Sequence, residues 1–412
     1  MQVWKPLTCL LTNPAVQPVR NKSAKAIKSA TFRYNASEDL SQIFEDFRMM
    51  CNDAIRIAIN EKPKNKLHLI ELSYPHLKAY GLHTHYVLSA CEVAYAVYKS
   101  RRDGSVPFVK KAFLKLDNQT YRLNHMLLRI PTKPHQYTFL TLQGSDYHLR
   151  LIDDPDLKKG SLTITSRAVI IALTKEVEPF EPIGYIGIDL NEKNVTVSAT
   201  DGYCHQFDEL SQVVEIKERY RELRRKVSRV TRNDNRVSKD LLAKYGRRER
   251  NRTVQRIHKV TKLVVNYAEN HRLSIKMERL AGIRKLYRRG NRQAKSHRGK
   301  MNTWVYHLTQ RQIAYKAQWD GISYYMVNPR GTSSYCPDCG SRVAPLADRK
   351  LYCRMCDKTW DRDVLASRNI MACAVPQTRP FRGSGEGERG GDGSNPSSRW
   401  REVGIDGTPP KS

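Results

Sequence analysis

The stretch IGYIGIDL at residues 183–190 decides the fold of the second half of the chain. Its nearly continuous apolar run predicts a buried strand, which ends in an acid, Asp189. NEKNVTVSATDG follows and predicts the return strand of a hairpin. LSIKMERL at 273–280 predicts another strand that ends in an acid, Glu278, and GISYYMVNP at 321–329 predicts one more. These segments predict a sheet whose strands end in acidic residues.

Two long helical patterns lie between the predicted strands. Their apolar residues recur every three or four positions, which indicates an antiparallel helical pair. Residues 216–262 hold 18 Lys or Arg against 5 Asp or Glu, so the outer faces of these helices are strongly basic. Residues 284–300 hold eight Lys or Arg, two Gly and no acid, which predicts a mobile basic loop.

The first half of the chain has a different pattern. Residues 26–35 predict a strand, and 36–104 predict a helical insert that includes one helical stretch from about Pro75 to Arg101. Short apolar segments separated by Pro and Gly over 105–182 predict an antiparallel sheet or barrel that the first strand could join.

The two ends of the chain lie outside these patterns. The segment 1–25 precedes the first predicted strand. Residues 376–412 contain 8 Gly and 5 Pro and almost no apolar side chain, which predicts a disordered tail.

The charge of the chain points to a polyanionic partner. Its 412 residues carry 72 Lys or Arg against 41 Asp or Glu, a formal net charge of +31. Nucleic acid is the first candidate because the basic residues cluster, although a solubilising charge or an anionic membrane surface would also use them. The nine cysteines do not form a disulfide framework, and no apolar run approaches the ~20 residues of a membrane helix. We therefore expect a cytoplasmic, nucleoid-associated protein without a membrane partner.

Four of the cysteines form a tight pattern. Cys336 and Cys339 make one C-x2-C pair, and Cys353 and Cys356 make a second pair thirteen residues later. Two such pairs supply four thiolates at the corners of a tetrahedron, the geometry that structural Zn²⁺ takes. The alternatives are an iron–sulfur site and two surface hairpins whose cysteines are coincidental. Because protein ligands would fill all four corners, we expect a structural rather than a catalytic metal.

Four acids have two interpretations. Asp189 and Glu278 end predicted strands, and Asp361 and Asp363 begin the last predicted helix. Taken singly, each has an ordinary structural role, such as a turn former, an ion-pair partner or a helix N-cap. Three carboxylates at neighbouring element ends can instead hold two Mg²⁺ ions about 4 Å apart for phosphodiester hydrolysis. Such an arrangement is typical of an RNase H-like sheet.

The chain resembles the TnpB (OrfB) proteins of insertion sequences, relatives of the type V CRISPR effector nucleases. Five segments stand in that family's order and spacing: IGIDLNEKNVTVSATDG, IKMERLAGI, GISYYMVNPRGTSSYCPDCG, LYCRMC and DRDVLASRNI. The resemblance is specific over 183–372. Over 26–180 it concerns architecture alone, a wedge barrel with a helical recognition insert.

The resemblance implies an RNA-guided DNA endonuclease with a RuvC-type site. Asp189 matches its first catalytic acid, Glu278 its second and Asp363 its third, with Asp361 as the fallback. These acids would bind magnesium, and the four cysteines match the family's zinc-binding insert. Two positions depart from the family pattern, because Leu365 replaces a usual Asn and Asn191 replaces a common Gly. Neither departure removes a metal ligand.

The expected fold class is α+β with several domains. A β-barrel wedge domain (26–35 and 105–182) carries the insert at 36–104, and an RNase H-like (RuvC) domain (183–375) carries a four-cysteine zinc ribbon (330–360). The expected partners are guide RNA and target DNA, in a monomeric or dimeric ribonucleoprotein. The basic residues expected to bind nucleic acid are Arg224, Arg225, Lys226, Arg229, Arg232, Arg247, Arg248, Arg288, Arg289 and Arg292. The alternative functions are a catalytically inactive RNA-guided DNA-binding regulator and a DNA strand-transfer transposase.

Overall fold

The computed structural model describes residues 24–101, 105–231, 234–280 and 304–374, with a few isolated residues between 281 and 303. The predicted N-terminal segment (its last two residues apart), the predicted tail and most of the predicted basic loop lie outside the described residues, as does Arg232. The chain forms two compact units, whose described parts are residues 25–176 and 177–374. No described helix is both long enough and apolar enough to span a membrane.

The first unit is built on one seven-stranded sheet, with the order β2-β6-β7-β1-β5-β4-β3. Its strands are β1 (Ala24–Ala36), β2 (Leu114–Leu116), β3 (Arg122–Asn124), β4 (Leu127–Pro131), β5 (Tyr137–Gln143), β6 (Lys158–Thr165) and β7 (Ala168–Val177). The first strand of the chain therefore lies at the centre of the sheet. It pairs antiparallel with β5, more than a hundred residues later in the sequence, which agrees with the prediction that the two segments share a sheet.

Helices of the first unit are α1 (Ser41–Glu61), α2 (Lys66–Leu77), α3 (Thr84–Ser100) and α4 (Asp146–Asp153). α1 buries an apolar stripe that includes Phe47, Met50 and Ala54. The prediction of one helical stretch from about Pro75 to Arg101 is wrong. Pro75 lies in the last turn of α2, and Gly81 ends the following 3₁₀ turn with a φ of 67°, which a right-handed helix does not allow. The sequence patterns do not predict α4.

The second unit contains a five-stranded sheet with the order β10-β9-β8-β11-β12. The strands are β8 (Gly184–Leu190), β9 (Val195–Ala199), β10 (Cys204–Phe207), β11 (Leu273–Glu278) and β12 (Tyr324–Val327). β9 runs antiparallel to both β8 and β10, whereas β11 is parallel to both β8 and β12. Because β8 and β11 are parallel, their carboxyl ends, which carry Asp189 and Glu278, lie at the same edge of the sheet.

Among the described residues, four helices accompany this sheet: α5 (Leu210–Val230), α6 (Asn235–Asn270), α7 (Tyr306–Trp319) and α8 (Arg362–Ala372). The buried residues of α6 all lie in its second half, starting at Thr253, whereas its first half contacts α5 through pairs such as Tyr245 and Tyr220. α8 lies directly on β8, because a Cβ added at Gly187 would come within 2.2 Å of the Ser367 carbonyl oxygen. This close approach fixes the position of α8, and therefore of Asp363 in its first turn, relative to the sheet.

A small antiparallel sheet lies between β12 and α8. Its strands are β13 (Ala344–Pro345), β14 (Lys350–Cys353) and β15 (Lys358–Asp361). Its core combines two cysteines with apolar residues, namely Cys336, Val343, Leu351, Cys353, Trp360 and Leu365. Such a small module buries little apolar surface, so a bound metal would contribute substantially to its stability.

Candidate active site and metal centre

The structure brings the four predicted cysteines together. The Sγ atoms of Cys336 and Cys356 lie 3.9 Å apart, and those of Cys339 and Cys353 lie 3.5 Å apart. All four sulfur atoms are within 4.8 Å of one another. A tetrahedral ion with metal–sulfur bonds of about 2.3 Å holds its sulfurs about 3.8 Å apart, so the donor set fits such an ion. The cluster could therefore hold a metal ion.

Polar contacts favour the metal-binding thiolate form at one of the four cysteines, Cys339, whereas burial raises the pKa of Cys336. The backbone N–H of Ser341 is the main cause that lowers the pKa of Cys339 to about 6. Near the first C-x2-C pair, Lys358 Nζ donates to Asp338 at 2.8 Å and lies 4.0 Å from the centre of the Trp360 ring. These contacts join the two cysteine pairs across the small sheet.

The three predicted acids also converge. Asp189 is 8% exposed and Asp363 is 4% exposed, while Glu278 is half-buried. Burial, followed by the charges of Glu278 and Asp363, raises the pKa of Asp189 to about 7. Burial also raises the pKa of Glu278. The carboxyl groups of Glu278 and Asp363 thus lie within electrostatic reach of Asp189 and disfavour its charged form, which is the condition that bound cations relieve.

Neighbouring side chains orient each carboxylate. Asn191 Nδ2 donates to Asp189 at 2.8 Å, and Thr332 Oγ1 donates to Glu278 at 2.6 Å. Asn194 Nδ2 donates to Asp363 at 3.3 Å. Each acid is therefore held by a neutral donor that leaves other oxygen lone pairs available.

A cation also reaches this cluster from the small sheet. Arg349 forms an ion pair with Asp363, and its Nη2 lies 3.2 Å from Asn191 Oδ1. It occupies the turn between β13 and β14, where Asp348 and Arg349 have positive φ angles of 54° and 58°.

Among the described residues, the four cysteines are the one set of three or more metal-ligating side chains whose ligand atoms all lie within 4.8 Å. The three carboxylates converge less closely.

Asp361 and Asp363 have different roles. The Asp361 carboxylate accepts hydrogen bonds from the N–H groups of Asp363 and Val364, at 2.9 and 3.1 Å, so it caps the N-terminus of α8. Asp363 points instead to the cluster of Asp189, Asn194 and Arg349. The geometry therefore favours Asp363 over its fallback as the third acid.

The two departures from the family pattern have structural explanations. Asn191 uses its side chain to hold Asp189 and to accept from Arg349. Leu365 is fully buried in the core of the small sheet, beside Trp360 and Cys353. It therefore joins α8 to the cysteine module, and it replaces none of the groups that surround the three acids.

Comparisons with known proteins place the chain in a family. The TnpB-like protein MJ0751 of Methanocaldococcus jannaschii is 33% identical over 252 residues, which cover 59% of this chain and 89% of the relative. The chain belongs to the TnpB-like family. Residues 306–370, which span α7 to α8, also match the Cas12f1-like TNB domain family.

The fold of this TnpB-like chain resembles that of a protein in a solved nucleic-acid complex. A cryo-EM structure of a Cas12f1–sgRNA–target DNA complex contains a chain that matches with a TM-score of 0.52 and 13% identity. The match covers 81% of this chain and 82% of that one. At this identity the likeness concerns the fold alone.

Basic side chains follow the exposed sides of α5 and α6. Five of the predicted basic residues are exposed, and no described acid forms an ion pair with them: Arg225, Lys226, Arg229, Arg247 and Arg248. Arg224 differs, because it is half-buried and forms an ion pair with Glu249 on the neighbouring helix. The other predicted basic residues, Arg232, Arg288, Arg289 and Arg292, lie outside the described residues.

Sequence reasoning did not predict the role of Lys276. Its side chain is buried, and its ammonium group donates to the carbonyl oxygens of Met371 and Cys373 at 2.8 and 2.7 Å and lies 3.7 Å from the centre of the Tyr185 ring. Burial lowers its pKa to about 8. Lys276 thus satisfies carbonyl groups at the C-terminal end of α8, whose first turn carries Asp363.

We expect Lys276→Met to lower the free energy of unfolding by about 2–3 kcal/mol, because two carbonyl groups lose a charged donor. Chemical denaturation of the purified variant measures the change. Lys239→Met, at an exposed position on α6, is the matched control and should change stability little. Equal stabilities for the two variants would mean that the Lys276 contacts contribute nothing.

Proposed function

We propose that the chain is an RNA-guided DNA endonuclease of an insertion sequence, which hydrolyses target DNA in a two-metal, RuvC-like site. The observation that carries this proposal is the convergence of Asp189, Glu278 and Asp363 at one edge of a sheet with the order β10-β9-β8-β11-β12. Membership of the TnpB-like family and the fold shared with a Cas12f1 chain in a guide RNA and target DNA complex support it.

The proposed chemistry assigns a task to each side chain. Asp189, Glu278 and Asp363 would hold two Mg²⁺ ions, and the bound ions would supply the activation of water and the stabilisation of the leaving oxygen of a phosphodiester. Asn191, Thr332 and Asn194 orient the three carboxylates through the hydrogen bonds described above. Arg349 brings a positive charge to the same edge, where the scissile phosphate would bind.

We propose further that the cysteine cluster binds a structural Zn²⁺. All four donors are thiolates from the protein, so no position is left open for substrate. The bound ion would stabilise the module at 330–360, which positions Arg349 and Thr332 beside the acids. Its role is therefore to support the nuclease site rather than to react.

The proposed domains keep the boundaries expected from the sequence. A wedge barrel (26–35 and 105–182) carries a recognition insert (36–104), and the nuclease domain spans 183–375. Guide RNA and target DNA are the proposed partners, in a cytoplasmic ribonucleoprotein. The inactive regulator and the strand-transfer transposase are weaker candidates. A protein that only binds has no need for three converging acids, and no observation favours strand transfer over hydrolysis.

The basic side of α5 and α6 would contact the nucleic-acid backbone. Replacing Arg225, Lys226, Arg229, Arg247 and Arg248 with Gln should weaken binding and flatten the salt dependence of the affinity, by roughly 0.7–0.9 in slope for each phosphate that is no longer neutralised. Binding assays at several salt concentrations measure the slope. Control variants are Arg224→Gln and Lys158→Gln, whose charges Glu249 and Glu176 already compensate. If the five-residue variant keeps the original slope, the helices do not bind phosphates.

Sequencing of copurifying RNA tests the proposed function. We expect one enriched RNA species whose end specifies the target, and Mg²⁺-dependent cleavage when the complex meets a library with randomised flanking sequence. A preparation that holds no specific RNA and cuts no member of the library would overturn the proposal.

A further inference from the structure

The outer face of the first unit's sheet carries two exposed aromatic rings. Side chains on β5 alternate, so Thr138, Leu140 and Leu142 are buried while Tyr137 and Phe139 point outward. Tyr137 is 47% exposed and Phe139 is 44% exposed. Large apolar surface of this kind, placed side by side on a strand, is typical of a binding surface.

Strand register places arginines around these rings. Arg129 on β4 is opposite Phe139, and its guanidinium lies 4.4 Å from the centre of the Tyr137 ring. Arg122 on β3 is opposite Arg129, and Arg33 on β1 is opposite Gln143 at the other end of β5. Paired residues in a sheet project to the same side, so three arginines flank the two rings on one face.

The charged side chains on these strands of the face are all positive. β3, β4, β5 and the part of β1 that pairs with β5 contain no Asp or Glu. In the part of the chain that the structure describes, Arg33, Arg122 and Arg129 form no ion pair. Polar side chains that both donate and accept, Asn35 and Thr141, are paired across β1 and β5 on the same face.

We propose that this face, defined by Tyr137, Phe139, Arg129, Arg122 and Arg33, binds single-stranded RNA. Exposed rings on a sheet stack on unpaired bases, and the arginines meet the phosphates. Paired bases in a duplex hide their faces, which excludes a double helix as the occupant of the rings. Asn35 and Thr141 can exchange hydrogen bonds with a 2′-hydroxyl group, which DNA lacks. The proposal rests on the proposed RNA-guided function only for the source of the RNA.

The test uses the full chain, freed of copurifying RNA by high salt. A labelled ten-nucleotide uridine RNA is titrated, and fluorescence anisotropy reports its affinity. The double substitution Tyr137→Ala and Phe139→Ala should weaken binding by about tenfold or more, because the stacking on two bases is removed. The salt dependence should stay unchanged, since the phosphate contacts remain. Exchange of the rings, Tyr137→Phe with Phe139→Tyr, should restore the affinity.

Tyr147→Ala is the matched control. Tyr147 is also 47% exposed and has a cation near its ring, with Lys28 Nζ at 4.9 Å from its centre, but it lies on α4. Its substitution should leave the affinity unchanged. A second readout, photo-crosslinking of 4-thiouridine RNA with residue-level mapping, should place crosslinks at Tyr137 or Phe139.

Two results would overturn the proposal for this face: unchanged affinity in the double variant with crosslinks elsewhere, or a ring-dependent decrease in affinity for single-stranded DNA but not for RNA. Either result remains compatible with the proposed nuclease function if the double variant still cuts a guided target at the original rate. Failure of the proposed function appears separately, as a wild-type chain that neither retains a specific RNA nor cuts DNA.

Discussion

Asp189→Asn is expected to abolish DNA cleavage while leaving nucleic-acid binding intact. Asn has the same shape but no charge, so the site would lose one of the three carboxylates proposed to hold the metal ions. Metal ions contribute several kcal/mol to the stabilisation of such transition states, and 1.36 kcal/mol corresponds to a factor of ten in rate. We therefore expect single-turnover cleavage to fall at least about a thousandfold, with target affinity changed little.

The neighbouring acids provide the control for this prediction. Asp363→Asn should be as inactive as Asp189→Asn, whereas Asp361→Asn should remain active, because Asn also caps a helix. An inactive Asp361→Asn beside an active Asp363→Asn would make Asp361 the third ligand. Full activity in Asp189→Asn would contradict the proposal that these acids form a two-metal site.

The same substitution should stabilise the protein in the absence of added magnesium. The pKa of Asp189 is about 7 in the folded state and about 3.9 in an unfolded chain. Between these values the folded state holds a proton that the unfolded state has released, so stability falls as pH rises from about 4 to about 7. Asp189→Asn removes this penalty. Its stabilisation should be large at pH 8 and much smaller at pH 5, as measured by urea denaturation; equal stabilisation at both pH values would contradict this account.

Cys353→Ser is expected to unfold the small sheet and to abolish cleavage. Cys353 is completely buried at the end of β14, and its Sγ is 3.5 Å from that of Cys339. Three remaining thiolates bind zinc more weakly, and structural zinc supplies much of the folding free energy of such modules. Because Thr332 and Arg349 contact Glu278 and Asp363, loss of the module should also disorder the acids.

Three measurements check this prediction. Elemental analysis should find about one zinc per wild-type chain and much less in the variant. Thermal denaturation should reveal a missing or lowered transition, and cleavage should be absent. Cys204→Ser, at an exposed cysteine of β10, should keep zinc, stability and activity. Unchanged zinc content in Cys353→Ser would exclude the four-thiolate site, and normal cleavage without zinc would separate the module from the nuclease.

Local patterns in the sequence are sufficient for the elements that carry the acids. An apolar run that ends in Asp189 predicts a buried strand, and the cysteine spacing predicts a cluster, because both signals lie within short stretches of sequence. The sequence predicts that β1 is a strand but does not predict its central position in the sheet, because that position depends on pairing with residues more than a hundred positions away.

The contacts made by flexible charged side chains could not be predicted from the sequence. Arg349 reaches Asp363 from a turn fourteen residues earlier, and no pattern in ADRKLYC distinguishes it from its neighbours. Arg224 resembles the other basic residues of its helix in sequence, but the fold places Glu249 beside it. Lys276 has the pattern of an exposed position in a strand, and only the packing of α8 on the sheet buries it.

Reprogramming of the cut site tests the central claim most directly. The purified complex would be rebuilt with an RNA whose target-pairing segment is replaced by an unrelated sequence, and DNA substrates for both sequences would be supplied with Mg²⁺. Cleavage should move to the new target, stop at the old one, and be absent with Asp189→Asn. Cleavage that stays at the old site, or that persists in the Asp189 variant, would contradict the account.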